Sequence, residues 1–109
     1  MYTVQKTIEV AGAHKLNLNY QSKCSVLHGH NWKIVVTCKS DTLDENGMVT
    51  DFTHIKKVVD ILDHAYINDF FPDKNPTAEN IAKFICEHVE HCVKVSVQES
   101  GGNVATYEI

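Results

Sequence analysis

His28-Gly29-His30 sets two imidazoles at positions i and i+2. In extended backbone, alternate side chains leave the same face, so both rings can reach one ion. His14, upstream across the intervening segment, is a third candidate ligand. Three neutral histidines with one open position describe a catalytic zinc site. Cys24 precedes His28 by four residues, and a thiol beside a cation is drawn toward its thiolate, which suits a base. The same Cys24-x-x-x-His28-x-His30 pattern with His14 could equally give a closed, structural zinc four ligands. Spacing leaves both readings open.

Asp63-His64 is a second pair: a carboxylate beside an imidazole fixes its tautomer and makes it a proton-transfer group. Its plainer reading is a capped helix end. Glu99 closes a stretch of alternating valines just before Gly101-Gly102, where a carboxylate either meets a ligand or sits solvated in a turn. His54, His88 and His91 have no partner pattern and read as ordinary helix-surface residues.

These residues need elements to carry them. Tyr2 to Ala11 alternates, with Val4, Ile8 and Val10 on one side and Lys6 as the odd member, which predicts a half-buried strand. Ala13 to Gly29 breaks into polar residues and isolated histidines and reads as a long functional loop. Asn31 to Lys39 places Trp32, Ile34, Val36 and Cys38 on one face of a second strand. An acidic turn over Asp41 to Gly47 follows. Asp51 then caps a helix bearing Ile55, Val58, Val59 and Leu62 and ending near Asp63-His64.

Asn68 to Pro76 is a connector, and Thr77 caps a second helix with Ile81, Phe84, Ile85, Val89 and Cys92 inward. Val93, Val95 and Val97 alternate with polar residues, and Ser100 to Asn103 turns the chain into Val104 to Ile109, a closing hairpin. The order predicts one α+β domain over residues 1–109, a four-stranded antiparallel sheet with two helices on one face. Such a small sheet with two open edges calls for association into a homo-oligomer.

The 109 residues suit one hydrophobic core, and 43% hydrophobic with 22% charged residues is the composition of a globular chain. A net charge of -4 with scattered lysines argues against nucleic acid as a partner. No segment is apolar enough for a signal peptide or membrane span, which leads to a cytoplasmic expectation. Cys38, Cys86 and Cys92 read as buried packing, Cys38 on a strand and the other two on a helix, with no disulfide framework.

Combined, the motifs resemble one family across essentially the whole chain. They are Cys24-Ser-Val-Leu-His28-Gly-His30-Asn31 with His14, Gly47-Met-Val-Thr-Asp51-Phe52, Leu62-Asp63-His64, Asn75-Pro-Thr-Ala-Glu-Asn80, and Glu99. Their order is similar to that of the 6-pyruvoyl- and 6-carboxy-tetrahydropterin synthases. The resemblance implies that His14, His28 and His30 hold catalytic Zn2+ and that Cys24 is the proton-abstracting base rather than a fourth ligand. It further implies that Asp63 and His64 complete a proton relay, that Glu99 anchors the amino-pyrimidine edge of a pterin, and that Thr77 is a further pterin contact.

The tunnelling fold (T-fold) is implied too, with subunits joining their sheets into a barrel, commonly a hexamer, and sites between chains. The short gap from Cys24 to His28 is similar to the 6-carboxy branch, which releases acetaldehyde and triphosphate from dihydroneopterin triphosphate on the way to queuosine. The pyruvoyl-forming reaction, and a non-catalytic zinc- or pterin-binding domain, are the alternatives. One departure concerns the phosphates: bacterial relatives often have an arginine two residues after the cysteine, where this chain has Val26, so Lys15 and Lys23 are the available cations.

Overall fold

Alternation of apolar residues builds the sheet. The structure, a computed structural model, describes residues 1–109. Its strands are β1 (Tyr2–His14), β2 (His28–Ser40), β3 (Ala65–Tyr66), β4 (Cys92–Ser100) and β5 (Asn103–Glu108), in spatial order β3-β1-β2-β4-β5. Helices α1 (Phe52–Asp60) and α2 (Ala78–His88) lie between β2 and β4 in the chain. The four expected antiparallel strands are present, and the fifth, β3, adds a two-residue parallel pairing to β1 at Gly12 and Ala13.

Val10, Trp32, Ile34, Val36, Val95 and Val97 point to one side of the sheet, where they pack with Ile55 and Val59 of α1 and Ile81 and Ile85 of α2. Both helices therefore cover the same face. Asp51 caps α1 by accepting from the Thr53 N–H at 2.8 Å, and Thr77 caps α2 by accepting from the Asn80 N–H at 3.2 Å. Lys6, on the apolar side, is half-buried with its ammonium 5.8 Å from the centre of the Phe52 ring.

Four boundaries differ from the sequence expectation. β1 runs on to His14 and β2 begins at His28, because the two strands stay paired to their ends with His14 opposite His28 and Gly12 opposite His30. His14 and His28 thus stand on strands rather than in the loop, and His30 follows on the same strand as His28. Helix α1 ends at Asp60, after which tight turns lead to His64 at a positive φ of 55°. Cys92 opens β4 rather than closing α2, and His91 sits in the connecting turn at φ 61°, with its Nδ1 2.8 Å from the Val49 carbonyl oxygen. Cys38, Cys86 and Cys92 are buried free thiols, as expected of packing residues. No helix is long and apolar enough to cross a membrane.

Candidate metal centre and its surroundings

Register brings the histidines together. His14 and His28 are direct cross-strand partners, and His30 lies two residues along on the same face. Ring centroids are separated by 4.6 Å for His14 and His28, 4.8 Å for His28 and His30, and 5.3 Å for His14 and His30. Trp32 forms the floor, edge-on to His14 and His30, and its indole N–H donates to the Gly12 carbonyl at 3.1 Å.

Two of the rings are oriented by hydrogen bonds to backbone carbonyls. His14, fully buried, donates from Nδ1 to the Pro76 carbonyl at 2.8 Å, and His28 donates from Nδ1 to the Val26 carbonyl at 2.6 Å. Both bonds select the tautomer whose Nε2 keeps its lone pair, the arrangement of a histidine held ready for a metal. Burial pushes the His14 imidazole below its usual pKa, only partly offset by the Pro76 bond, and burial also lowers that of His30. Neutral, ligand-competent rings are favoured.

Glu99 joins them. It is the extra residue of a bulge: Gln98 pairs with Val104 and Ser100 with Asn103, leaving nothing opposite Glu99. A bulge re-aims its side chain, and here Oε1 lies 3.3 Å from His14 Nε2 and 3.5 Å from His30 Nε2. One ligand atom from each of His14, His28, His30 and Glu99 falls within 4.8 Å of the others, a group able to hold a metal ion. The Nε2 atoms of His14 and His30 are buried without a hydrogen-bond partner. An imidazole lone pair facing a carboxylate at His14, beside a second unpartnered nitrogen, favours a cation among them, and the donor set fits zinc, which takes nitrogen and oxygen ligands.

Cys24 is exposed, in a short 3-10 turn over Lys23–Ser25, and its thiol is not part of this group. The fourth donor is a carboxylate rather than a thiolate. Asp63 and His64 stand beside the end of β1: Asp63 accepts from the Ala11 N–H at 2.9 Å and lies 3.1 Å from His64 Nδ1. That backbone bond, with the His64 ring, holds the Asp63 carboxyl below the usual carboxylate range. His64 is 83% exposed and lines, with His30, Asn31, Leu27 and Tyr66, an open cavity of about 570 Å³. The Thr77 side chain serves as the α2 cap, and Lys15 lines a separate opening with Ser25 and Asn68.

Three positioning residues escaped the sequence reading. Asn68 accepts from the Lys15 N–H at 3.0 Å and donates to the Lys15 carbonyl at 2.9 Å. Asn75 does the same for Asn17, at 2.8 and 3.1 Å. Asn80 donates to the Asn75 carbonyl at 2.8 Å, tying this clamp to the start of α2. Only asparagines inside a connector hinted at such bonds.

Comparison with known proteins places this architecture. The profile of the 6-pyruvoyl tetrahydropterin synthase family matches residues 3–109. The chain belongs to that family. A Synechocystis 6-carboxy-5,6,7,8-tetrahydropterin synthase is 36% identical over 99 residues, covering 83% of this chain and 76% of that protein. A 61-residue stretch is 44% identical to a candidate 6-carboxy-5,6,7,8-tetrahydropterin synthase of Pyrococcus horikoshii, spanning 56% of this chain and 38% of that one. Among solved structures, the 6-pyruvoyl tetrahydropterin synthase of Caenorhabditis elegans superposes with a TM-score of 0.78 at 27% identity, over 99% of this chain and 95% of the other. The fold of this family member is the T-fold.

Proposed function

We propose that this chain is a zinc-dependent 6-carboxy-tetrahydropterin synthase, a carbon-carbon lyase that converts 7,8-dihydroneopterin triphosphate to 6-carboxy-5,6,7,8-tetrahydropterin, releasing acetaldehyde and triphosphate. The observation that carries it is the convergence of His14, His28, His30 and Glu99 with two buried, unpartnered imidazole nitrogens. The Synechocystis relative's name and the short Cys24-to-His28 spacing favour the carboxy product and a place in queuosine biosynthesis.

His14, His28 and His30 would hold the metal. Bound zinc supplies Lewis-acid polarisation of the substrate's side-chain oxygens. Cys24, outside the ligand set, removes the proton that this polarisation acidifies. His64, with Nδ1 committed to Asp63, exchanges a second proton at Nε2. Glu99 takes the amino-pyrimidine edge of the pterin, whose paired donors suit a carboxylate, and the Thr77 hydroxyl adds a contact. Lys15 and Lys23 meet the triphosphate in place of the arginine that Val26 replaces.

The two sheet edges support assembly, with hexamer the favoured state. β1 is paired outward only at Gly12 and Ala13, and β5 has no outer neighbour. His64 and Cys24 are exposed in one chain, which suits a site completed by a neighbour. Light scattering of the zinc-loaded protein should give a multiple of the protomer mass; a monomer would remove the shared-site reading.

The deciding assay incubates zinc-loaded protein with dihydroneopterin triphosphate and follows acetaldehyde together with 6-carboxy-tetrahydropterin. Their joint appearance supports the proposal. Triphosphate release without acetaldehyde would point to the pyruvoyl reaction, which the name of the C. elegans neighbour favours. Bound zinc without any product would point to a different pterin or a binding domain.

A further inference from the structure

We infer that Glu99 is the fourth ligand of the resting metal centre, and that substrate must displace its carboxylate before the site can work. The inference rests on the zinc reading above and deepens it. Zinc holds nitrogen and oxygen donors at about 2.0–2.1 Å, and two ligands of a tetrahedral ion are then separated by roughly 3.3–3.4 Å. Glu99 Oε1 lies 3.3 Å from His14 Nε2 and 3.5 Å from His30 Nε2. Both separations are close to the spacing of two donors on one such ion, and the four ligand atoms as a set lie within 4.8 Å of one another.

Two further observations support it. The Nε2 atoms of His14 and His30 are buried with no hydrogen-bond partner, and because His14 donates from Nδ1 to Pro76, the carboxylate oxygen faces a lone pair at His14 Nε2 rather than an N–H group. Such a contact is repulsive unless a cation lies among the atoms. The bulge also gives Glu99 a reason to point here: as the unpaired residue between Gln98 and Ser100, it is turned toward the histidines by the backbone itself.

The candidate ligands differ in how firmly they are held. His14 is fully buried and tied to Pro76, whereas the Glu99 side chain remains 29% exposed and carries no hydrogen bond to protein. Glu99 is therefore the ligand that can leave. With Glu99 bound, a zinc ion would take all four donors from the protein, His14, His28, His30 and Glu99, the pattern of a closed site. A pterin that draws the carboxylate to its amino-pyrimidine edge frees that position for its own side-chain oxygens. Substrate binding and opening of the metal become one event.

Cobalt(II) in place of zinc reports coordination directly through its visible absorption. The wild-type chain should bind one Co2+ with the intense bands of a four-coordinate site. Glu99→Gln, an isosteric change, should still bind one Co2+ but with altered bands and an affinity weaker by about 10–100-fold, at least the loss that disturbing a ligand's support already produces. Glu99→Asp, which keeps the charge and shortens the reach, should also weaken binding. Adding a reduced pterin that lacks the three-carbon side chain should shift the wild-type spectrum while leaving that of Glu99→Gln unchanged. Spectra and affinities identical in all three proteins would overturn the inference and leave the zinc reading standing. Failure of the wild type to bind cobalt or zinc would overturn both.

Discussion

His14 donates from Nδ1 to the carbonyl of Pro76 at 2.8 Å, joining positions 62 apart in the chain. Its ring orientation is thus set by the segment that opens α2, and that segment is locked by the Asn80 amide on the Asn75 carbonyl at 2.8 Å. Asn80→Ala removes this lock while leaving every ligand in place. The apoprotein should lose about 1 kcal/mol of stability, as for one net hydrogen bond. Metal affinity should fall by about tenfold, since outer partners orient ligands. Thermal melts and a metal titration check both; an unchanged affinity would mean that Pro76 is held without Asn80.

Cys24 is carried by a loop pinned to the end of β1, where the Leu16 N–H donates to the Cys24 carbonyl at 2.8 Å. Its thiol is exposed and outside the ligand group. Cys24→Ala should therefore keep one zinc per chain and lower turnover by about 10²–10⁴-fold, the usual contribution of a general base. Metal content by elemental analysis separates the roles: loss of zinc in this variant would make Cys24 a ligand.

Much of this arrangement was legible in the chain. Alternation located the four long strands, Asp51 and Thr77 marked both helix starts, and His-Gly-His pointed to shared ligands. The placing of His14 and His28 in a loop failed because strand pairing continued through polar residues whose faces were not set by hydrophobicity. Glu99's approach to His14 was invisible for a different reason: a bulge is a property of two strands together, and alternation along one of them cannot reveal it. Carbonyl partners such as Pro76 leave no side-chain signature at all.

Gly12 lies opposite His30 and beneath two close neighbours. A Cβ there would meet Ile67 Cδ1 at 2.8 Å and the Leu62 carbonyl oxygen at 2.9 Å. The Ile67 methyl can turn away, but the Leu62 backbone cannot move without shifting the turn that leads to Asp63. Gly12→Ala should cost about 1–3 kcal/mol, as overpacking does. It should also disturb His30, because the Gly12 carbonyl accepts the Trp32 indole N–H. Urea unfolding measures the first effect and zinc titration the second; a variant as stable as wild type would show that the turn yields freely.

Asp63 gives the chain an acid-sensitive contact. The Ala11 N–H donates to Oδ1, and His64 Nδ1 lies 3.1 Å from Oδ2. These partners favour the carboxylate, so its pKa is lower folded than unfolded, with the backbone bond as the first cause. Between those two values the unfolded chain binds the proton more readily, so acid favours unfolding. The contribution of Asp63 is complete above its unfolded pKa of about 3.9 and disappears as pH falls through the folded value. Asp63→Asn keeps an oxygen for the Ala11 N–H but cannot titrate. Urea unfolding of the apoprotein from neutral pH to about pH 3 should therefore show a shallower fall in stability for the variant than for wild type. Parallel curves would mean that the contact persists in the unfolded chain.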